Sequence, residues 1–249
     1  MTERDASNQR LTSAEPLKNE RRTRGQCSPE DLTTSSLAIA HTGHMQWTVV
    51  IPVKPTAIGK SRLGLGPELA RAIALETVAA VVACVSVDRV IVVTADAAFR
   101  PPGAEILPER SPSGINAAVA AGAELAGMGT ARAALLGDLP SLIPDELAAA
   151  LAAAEKHPRA FVPDFELSGT TLVTALPEVE LVTAFGPLSA ARHRALGLIA
   201  LDVPADSSVR FDVDTPVQLD AALASLRRAG LDRPLLRAAT GADAPGGSA

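Results

Sequence analysis

Cysteine and histidine are rare in this chain of 249 residues, which contains two cysteines and four histidines. Cys27 lies in a polar N-terminal stretch and Cys84 in an apolar, helix-like stretch, so they give neither a disulfide framework nor a metal-binding spacing. The histidines are equally scattered, which argues against a zinc site. This cysteine usage fits a reducing cytoplasm, where we expect the protein to lie.

The chain also lacks a long uncharged apolar run and an apolar segment near its N-terminus, so we expect neither membrane insertion nor secretion. The chain has no excess of positive charge: its net charge is -5 and its pI is about 5.4. Nucleic-acid binding depends on neutralising many phosphates with Lys and Arg, so a general nucleic-acid partner is not expected. Small anionic ligands remain compatible with local groups of basic residues.

The composition predicts one folded domain between two tails. Residues 1–44 are polar with little periodicity, which indicates a disordered extension or a misassigned start, since Met45 stands just before the first strand-like run. We expect the domain to occupy residues 45–239, and residues 240–249 to form a flexible tail of small residues. With 47% hydrophobic residues, a chain of this length can bury one large core.

Short β-branched runs alternate with Ala-rich stretches in the predicted domain, a pattern typical of an α/β fold with a mostly parallel sheet covered by helices. The predicted strands are 47–53, 89–93, 105–107, 131–136, 161–163, 170–174 and 198–203. The predicted helices are 67–82, 116–126, 144–156, 189–196 and 216–228. The segment between 161–163 and 170–174 is too short for a crossover helix, which favours an antiparallel strand at 170–174.

Two acidic segments follow strand-like runs, Gly-Asp-Leu-Pro at 137–140 and Asp-Val-Asp-Thr-Pro at 212–216. We expect Asp138, Asp212 and Asp214 at the carboxyl edge of the sheet, where α/β proteins bind ligands. Asp212 and Asp214 alternate along a predicted strand, which would put both on one face. Carboxylates at such an edge suit the binding of a Mg²⁺ ion that in turn binds the phosphates of a nucleotide.

Helix capping is the alternative for two of these aspartates. Asp138 could cap the helix that follows it, although Pro140 and the next proline interrupt that register. Asp214 could cap the last helix, but Thr215 before a proline already fits the cap. Asp164, at the end of Phe-Val-Pro-Asp, is a third candidate near the same edge.

A basic loop between the first strand and the first helix contains Lys54, Lys60 and Arg62. Three cations beside a helix N-terminus suit the charge of a triphosphate. The loop is not a P-loop, because the spacing G-x-x-x-x-G-K-[ST] is absent. A solvated basic loop is the alternative interpretation.

Two further segments offer backbone amides and hydroxyls for a small anion, Gly-Thr-Thr at 169–171 and Phe-Gly-Pro-Leu-Ser at 185–189, although either could be an ordinary turn. His193 lies one turn after Ser189 between two arginines, and we favour a phosphate contact for it over a surface position. No Ser-His-Asp order or Cys-His pair stands out, so nucleophilic acyl chemistry lacks support.

Taken together in order, the motifs resemble those of the FbiD/CofC family, the guanylyltransferases of deazaflavin coenzyme F-420 biosynthesis. The resemblance covers roughly residues 47–228. It rests on Val-Ile-Pro-Val-Lys with Lys-Ser-Arg-Leu, Gly-Ile-Asn-Ala-Ala, Leu-Gly-Asp-Leu-Pro, Phe-Val-Pro-Asp, Gly-Thr-Thr-Leu, Phe-Gly-Pro-Leu-Ser-Ala-Ala-Arg-His and Asp-Val-Asp-Thr-Pro. It implies a Rossmann-like nucleotidyltransferase fold related to the GT-A group. It also implies transfer of GMP from GTP to a phosphorylated three-carbon acid, with release of pyrophosphate.

The resemblance assigns roles to residues by the motif positions they match. Asp138 and Asp214 would hold Mg²⁺ with support from Asp212, and Asp138, Asp214 and Lys60 would form the catalytic set. The other implied contacts are Lys54, Lys60 and Arg62 with the triphosphate, Gly114 and Asn116 with guanine or ribose, and Thr170, Gly186 and Ser189 with the acidic acceptor. One departure concerns the loop before Thr170, where family members often have Gly-Thr-Gly-Thr and this chain has Leu-Ser-Gly-Thr.

The family resemblance favours phosphoenolpyruvate as the acceptor, followed by 2-phospho-L-lactate and 3-phosphoglycerate, and it allows a homodimer. A molybdopterin or sugar-phosphate nucleotidyltransferase is the nearest alternative, but those usually begin with a Gly-rich first loop that residues 55–58 lack. A non-catalytic nucleotide-binding regulatory module is an alternative of another class. The presence of Asp138, Asp212 and Asp214 together with Lys60 argues against that module.

Overall fold

The structure is a computed structural model that describes residues 45–54, 66–109 and 114–240. Its strands are β1 Trp47–Val53, β2 Val87–Thr94, β3 Glu105–Pro108, β4 Ala131–Leu135, β5 Arg159–Pro163, β6 Thr170–Ala175 and β7 Ile199–Ala200. Its helices are α1 Pro67–Val82, α2 Ile115–Ala126, α3 Pro144–Ala154, α4 Ser189–Ala195, α5 Pro216–Arg228 and α6 Pro234–Thr240, with a short 3-10 helix at Ser208–Arg210.

The seven strands form one mixed sheet in the order β3-β2-β1-β4-β6-β5-β7. Strand β6 is antiparallel to both of its neighbours, and the other pairs are parallel, which confirms the prediction for residues 170–174. The short β5–β6 connection permits only an antiparallel return, whereas α1 and α2 provide the crossovers that parallel neighbours need.

This topology brings the predicted site to one edge of the sheet. The carboxyl ends of β1 and β4 lie at that edge because the two strands are parallel. The amino end of β6 lies there too, because β6 runs in the opposite direction with Leu135 paired to Leu172. Continuing that register sets Thr170 opposite Gly137, one residue before Asp138.

The core lies on both faces of the central strands. Alternate residues of β1 pack on opposite faces: Val49 and Ile51 contact the larger cluster with Val78 and Leu147, and Val50 packs with residues of α2. These side chains are almost completely buried, and a fully buried aliphatic side chain stabilises a fold by about 1.5–3 kcal/mol. The sheet is therefore a rigid base for the loops at its carboxyl edge.

Three features differ from the sequence prediction. The predicted strand 198–203 is reduced to Ile199–Ala200, which pairs only with β5 at the end of the sheet. Residues 211–214 are not a strand but an irregular segment leading to α5. Helix α6 was not predicted; it is held by Leu236, which is fully buried, and by the Leu235 N–H, which donates to Glu76 Oε1 at 3.0 Å. None of the described helices is long and apolar enough to span a membrane.

Candidate active site

A cleft of about 810 Å³ opens at the carboxyl edge of the sheet. It brings together eight of the candidate residues predicted from the sequence, namely Lys54, Asp138, Asp164, Thr170, Gly186, Ser189, Asp212 and Asp214. Gly114 and Asn116 stand on either side of Ile115, which also lines the cleft. Lys60 and Arg62 lie outside the described residues.

The two acidic segments are joined by a backbone hydrogen bond. The N–H of Val213 donates to the carbonyl oxygen of Asp138 at 3.0 Å. The Val213 side chain is buried in a cluster formed with residues of α1 and α5, so Asp212 and Asp214 flank an anchored residue. The predicted strand at this point is wrong, but the segment still carries both carboxylates to the cleft because Val213 fixes its position.

Neither aspartate caps a helix through its side chain. Helix α3 has Ile143 at its N-cap and no side-chain cap, so Asp138 does not serve it. Thr215 caps α5 as predicted, by accepting a 3.2 Å hydrogen bond from the Gln218 N–H, and Gln218 Oε1 in turn accepts from the Asp214 N–H at 2.8 Å. The cap fixes the backbone of Asp214 while its side chain stays exposed.

The carboxylates of the cleft repel one another. Burial, and after it the negative charges of Asp138, Asp214 and Asp164, together raise the pKa of Asp212 to about 7. A cation placed among these groups would relieve both the repulsion and the cost of ionising Asp212. The electrostatics of this end of the cleft therefore favour a cation.

The carboxylates of the cleft suit a divalent cation that takes few protein ligands better than a metal that takes all of its ligands from the protein. Within the part of the chain that the structure describes, no group of three or more His, Cys, Asp or Glu side chains is arranged to hold a metal ion. Mg²⁺ is commonly bound through one or two carboxylates, with water and substrate phosphates completing its shell. Asp138 and Asp214 line the cleft and could provide carboxylate oxygens of that kind.

Asp164 shapes the turn that leads into β6. Its Oδ1 accepts from the Ser168 N–H at 3.0 Å and its Oδ2 from the Gly169 N–H at 2.8 Å. A Cβ on Gly169 would overlap Asp164 Oδ2, so any other residue there requires the carboxylate to move. Leu167 has φ 64°, in the left-handed region that favours glycine, and it occupies a position where the family pattern has one. The departure from that pattern therefore costs backbone strain while the turn itself is kept.

His193 is buried, so its predicted phosphate contact is wrong and the surface alternative is wrong as well. The ring is fully inaccessible, with Nδ1 2.9 Å from Thr170 Oγ1 and Nε2 accepting a 2.9 Å hydrogen bond from the Ala184 N–H. Burial and the neighbouring charge of Arg192 lower the pKa of His193 to about 4, so the ring is neutral at pH 7. Helical spacing could have predicted the burial of His193, because Ser189, Ala190 and His193 form the buried face of α4.

Asn116 holds the loop that contains Gly186. Its Nδ2 donates to the Phe185 carbonyl oxygen at 3.1 Å, and its Oδ1 accepts from the Phe185 N–H at 2.8 Å. This pair of bonds connects the first turn of α2, predicted on the nucleotide side, to the loop predicted on the acceptor side. No local pattern predicts this contact, which spans 69 residues along the chain.

Comparison with known proteins gives close relatives over most of the chain. A phosphoenolpyruvate guanylyltransferase of Streptomyces coelicolor is 49% identical over 193 residues, covering 72% of this chain and 91% of the relative. One of Thermomonospora curvata is 44% identical over 197 residues, covering 74% and 86%. No family model matches.

The fold has a counterpart among solved structures. A nucleotidyl transferase from Methanothermobacter thermautotroptrophicus superposes with a TM-score of 0.54 at 19% identity, covering 75% of this chain and all of the other. At that identity the likeness concerns the fold alone. It agrees with the predicted nucleotidyltransferase architecture.

Proposed function

The chain belongs to the FbiD/CofC family of phosphoenolpyruvate guanylyltransferases, and we propose that it transfers GMP from GTP to phosphoenolpyruvate. The observation that carries the proposal is the cleft, in which an acidic cluster faces a loop rich in amides and hydroxyls. Close relatives with this activity in their names support it. We also propose a cytoplasmic location, which fits the scarcity of cysteine. We propose a homodimer as the oligomeric state, which light scattering can test.

The proposed reaction is an in-line displacement at phosphorus. A phosphate oxygen of the acceptor forms a bond to the α-phosphorus of GTP. The bond from that phosphorus to the oxygen that bridges the α- and β-phosphates breaks, and pyrophosphate leaves. A phosphate monoester has its second pKa near 6, so the acceptor arrives as a dianion at neutral pH and needs no general base. The task of the enzyme is to bring two anions together in a fixed geometry.

The acidic end of the cleft would hold the metal. Asp138 and Asp214 are the proposed Mg²⁺ ligands, with Asp212 in support. When bound, Mg²⁺ would neutralise negative charge on the phosphate oxygens of GTP. The raised pKa of Asp212 supports this assignment, because crowded carboxylates favour a cation between them.

The nucleotide would lie on the β1 and α2 side. Lys54 stands exposed at the end of β1 and lines the cleft, where it would contact the triphosphate. We assign Lys60 and Arg62 to the same phosphates and Lys60 to the catalytic set. Gly114 and Asn116 keep their proposed place beside guanine or ribose, although both ends of the Asn116 carboxamide already contact Phe185.

The acceptor would lie between β6 and α4. Thr170 and Ser189 offer hydroxyls there, and Gly186 offers an amide in a backbone conformation with φ 120°. These donors suit the phosphate and carboxylate of a three-carbon acid. Phosphoenolpyruvate is the proposed acceptor on the strength of the relatives, ahead of 2-phospho-L-lactate and 3-phosphoglycerate.

The deciding experiment measures pyrophosphate release from each nucleoside triphosphate with Mg²⁺ and each of the three acids. We expect GTP with phosphoenolpyruvate to give the highest kcat/KM. If GTP is silent with every acid while another triphosphate reacts with a sugar phosphate, the protein belongs to a different pathway. Binding of GTP without Mg²⁺-dependent turnover would instead favour a regulatory module.

A further inference from the structure

The buried imidazole of His193 contacts two parts of the proposed acceptor site at once. Through Nδ1 it meets the hydroxyl of Thr170, at the start of β6, at 2.9 Å. Through Nε2 it meets the N–H of Ala184, at 2.9 Å, two residues before Gly186. The ring packs between Phe161 and Phe185, with centroids 5.5 and 5.4 Å away, so it has little freedom to turn.

These contacts determine where the ring carries its hydrogen. A backbone N–H can only donate, so Nε2 of His193 must be the bare nitrogen that accepts from Ala184. In a neutral ring the hydrogen then sits on Nδ1, and Nδ1–H donates to Thr170 Oγ1. The lowered pKa of His193 agrees with a neutral ring.

The same logic fixes the hydroxyl of Thr170. An oxygen that accepts from Nδ1–H keeps its own hydrogen for a different partner. Thr170 lines the cleft beside Ser189 and Gly186, although it is only 3% exposed. A ligand in the cleft is therefore the partner toward which this hydrogen is available.

We propose that His193 is a positioning residue that directs the hydroxyl proton of Thr170 into the cleft, where it is donated to an anionic oxygen of the phosphorylated acid. This inference rests on the proposed function for the identity of the acid. Because the same ring holds the Ala184 N–H, it also sets the Thr170 hydroxyl in register with the loop that presents Gly186 and Ser189. His193 itself touches neither substrate.

Two substitutions separate the two contacts of the ring. In His193→Asn the shorter amide reaches the place of Nδ1 and keeps a donor for Thr170. In His193→Gln the longer amide reaches the place of Nε2 and keeps an acceptor for Ala184, but it loses the donor. Thr170→Val removes the hydroxyl. Thr171→Val makes the same change at the next residue, which is fully buried and does not line the cleft, so it serves as a matched control.

Steady-state kinetics with GTP and phosphoenolpyruvate gives the test. We expect His193→Gln and Thr170→Val each to raise the KM for the acid about tenfold, the size of one lost hydrogen bond to a charged group, with the KM for GTP unchanged. His193→Asn should recover part of that loss, and Thr171→Val should behave as wild type. In the double variant His193→Gln/Thr170→Val the loss should equal that of Thr170→Val alone, because His193 acts through Thr170.

The proposal is overturned if His193→Gln leaves the KM for the acid unchanged, or if its loss persists in full in the Thr170→Val background. The second outcome would identify His193 as a core residue that only packs. A measurement on the unaltered protein covers the case in which the variants do not fold. In ¹⁵N-histidine NMR spectra His193 should be the neutral tautomer with its hydrogen on Nδ1, and an Nε2–H tautomer would refute the proposal.

A failure of this inference can be told apart from a failure of the proposed function. If unaltered protein does not react GTP with any of the three acids, the proposed function fails, while the NMR result still decides the tautomer. If the unaltered protein is active and the variants show no KM effect, only the role of His193 fails.

Discussion

The backbone N–H of Val213 donates to the carbonyl oxygen of Asp138, with 3.0 Å between nitrogen and oxygen. This bond joins the loop after β4 to the segment before α5, so the carboxylates of Asp138, Asp212 and Asp214 line one cleft. Because Val213 is also buried against α1 and α5, the packing of two helices fixes the acidic cluster. The site is thus positioned by a backbone hydrogen bond and an apolar anchor.

Replacing Asp138 with Asn tests the acidic cluster directly. The substitution keeps the shape of the side chain and the backbone bond to Val213, but it removes a charge that a metal ion would need. We expect kcat to fall at least about 100-fold, with an unchanged unfolding midpoint. Pyrophosphate release and circular dichroism measure the two effects.

Asp202→Asn is the matched control, because Asp202 is exposed and lies outside the residues that line the cleft. It should retain full activity. Full activity in Asp138→Asn would remove this residue from the proposed metal site.

Gly169→Ala tests the turn that precedes Thr170. The added Cβ would overlap Asp164 Oδ2, so the two hydrogen bonds from Ser168 and Gly169 to this carboxylate cannot both survive. We expect a loss of about 1–3 kcal/mol in the free energy of unfolding, measured with urea, and a raised KM for the acid. Gly129→Ala is the control, since the nearest atom to its new Cβ would be Glu178 Oε1, at 3.7 Å. Equal stability of the two variants would show that the turn adapts.

Asn116 allows a test of the contact between α2 and the acceptor loop. In Asn116→Asp the oxygen that accepts from the Phe185 N–H is kept, but an acceptor now faces the Phe185 carbonyl. We expect the free energy of unfolding to fall by about 1–3 kcal/mol and the KM for the acid to rise. Asn116→Ala, which loses both bonds, provides the comparison. If neither variant changes the KM for the acid, the loop keeps its position without Asn116.

Local signals in the sequence account for the parts of the fold that were predicted correctly. The bounds of β1, α1 and α5 agree to the residue, because an apolar run defines β1 and a proline starts each helix, with Thr215 as the cap of α5. Helix α6 has no comparable signal and depends on contacts of Leu235 and Leu236 with distant residues. The strand predicted at 198–203 is short because only β5 is available to pair with it.

In the site, too, local signals could be predicted from the sequence and long-range contacts could not. Residues that stand where strands end could be placed in the cleft from the sequence, and Asp138 and Thr170 are examples. The partners of His193 and Asn116 could not, because the bonds to Thr170 and Phe185 span 23 and 69 residues. Local patterns carry no information on such contacts, which form only when the sheet and helices assemble.

The buried, neutral state of His193 predicts how stability depends on pH. Its pKa is 6.5 in model peptides and about 4 in the folded protein, so between these values the unfolded chain binds a proton that the folded chain does not. The stabilising contribution is therefore complete above about pH 6.5 and is lost as the pH falls toward 4. The pKa difference corresponds to at most about 3 kcal/mol. The positive charge of Arg192 also opposes protonation of the ring.

Urea unfolding of the unaltered protein and of His193→Gln at pH 7, 6, 5 and 4 isolates this contribution, because the other titrating groups are common to both proteins. We expect the stability difference between the two to shrink as the pH falls, since only the unaltered protein loses the contribution of His193. Thr171→Val controls for a buried substitution that removes no titrating group, and its difference from the unaltered protein should not vary with pH. A constant difference for His193→Gln as well would mean that the ring is protonated as easily in the folded chain as in the unfolded one. That result would be incompatible with an Nε2 that accepts from Ala184, because protonation of that nitrogen would break the bond.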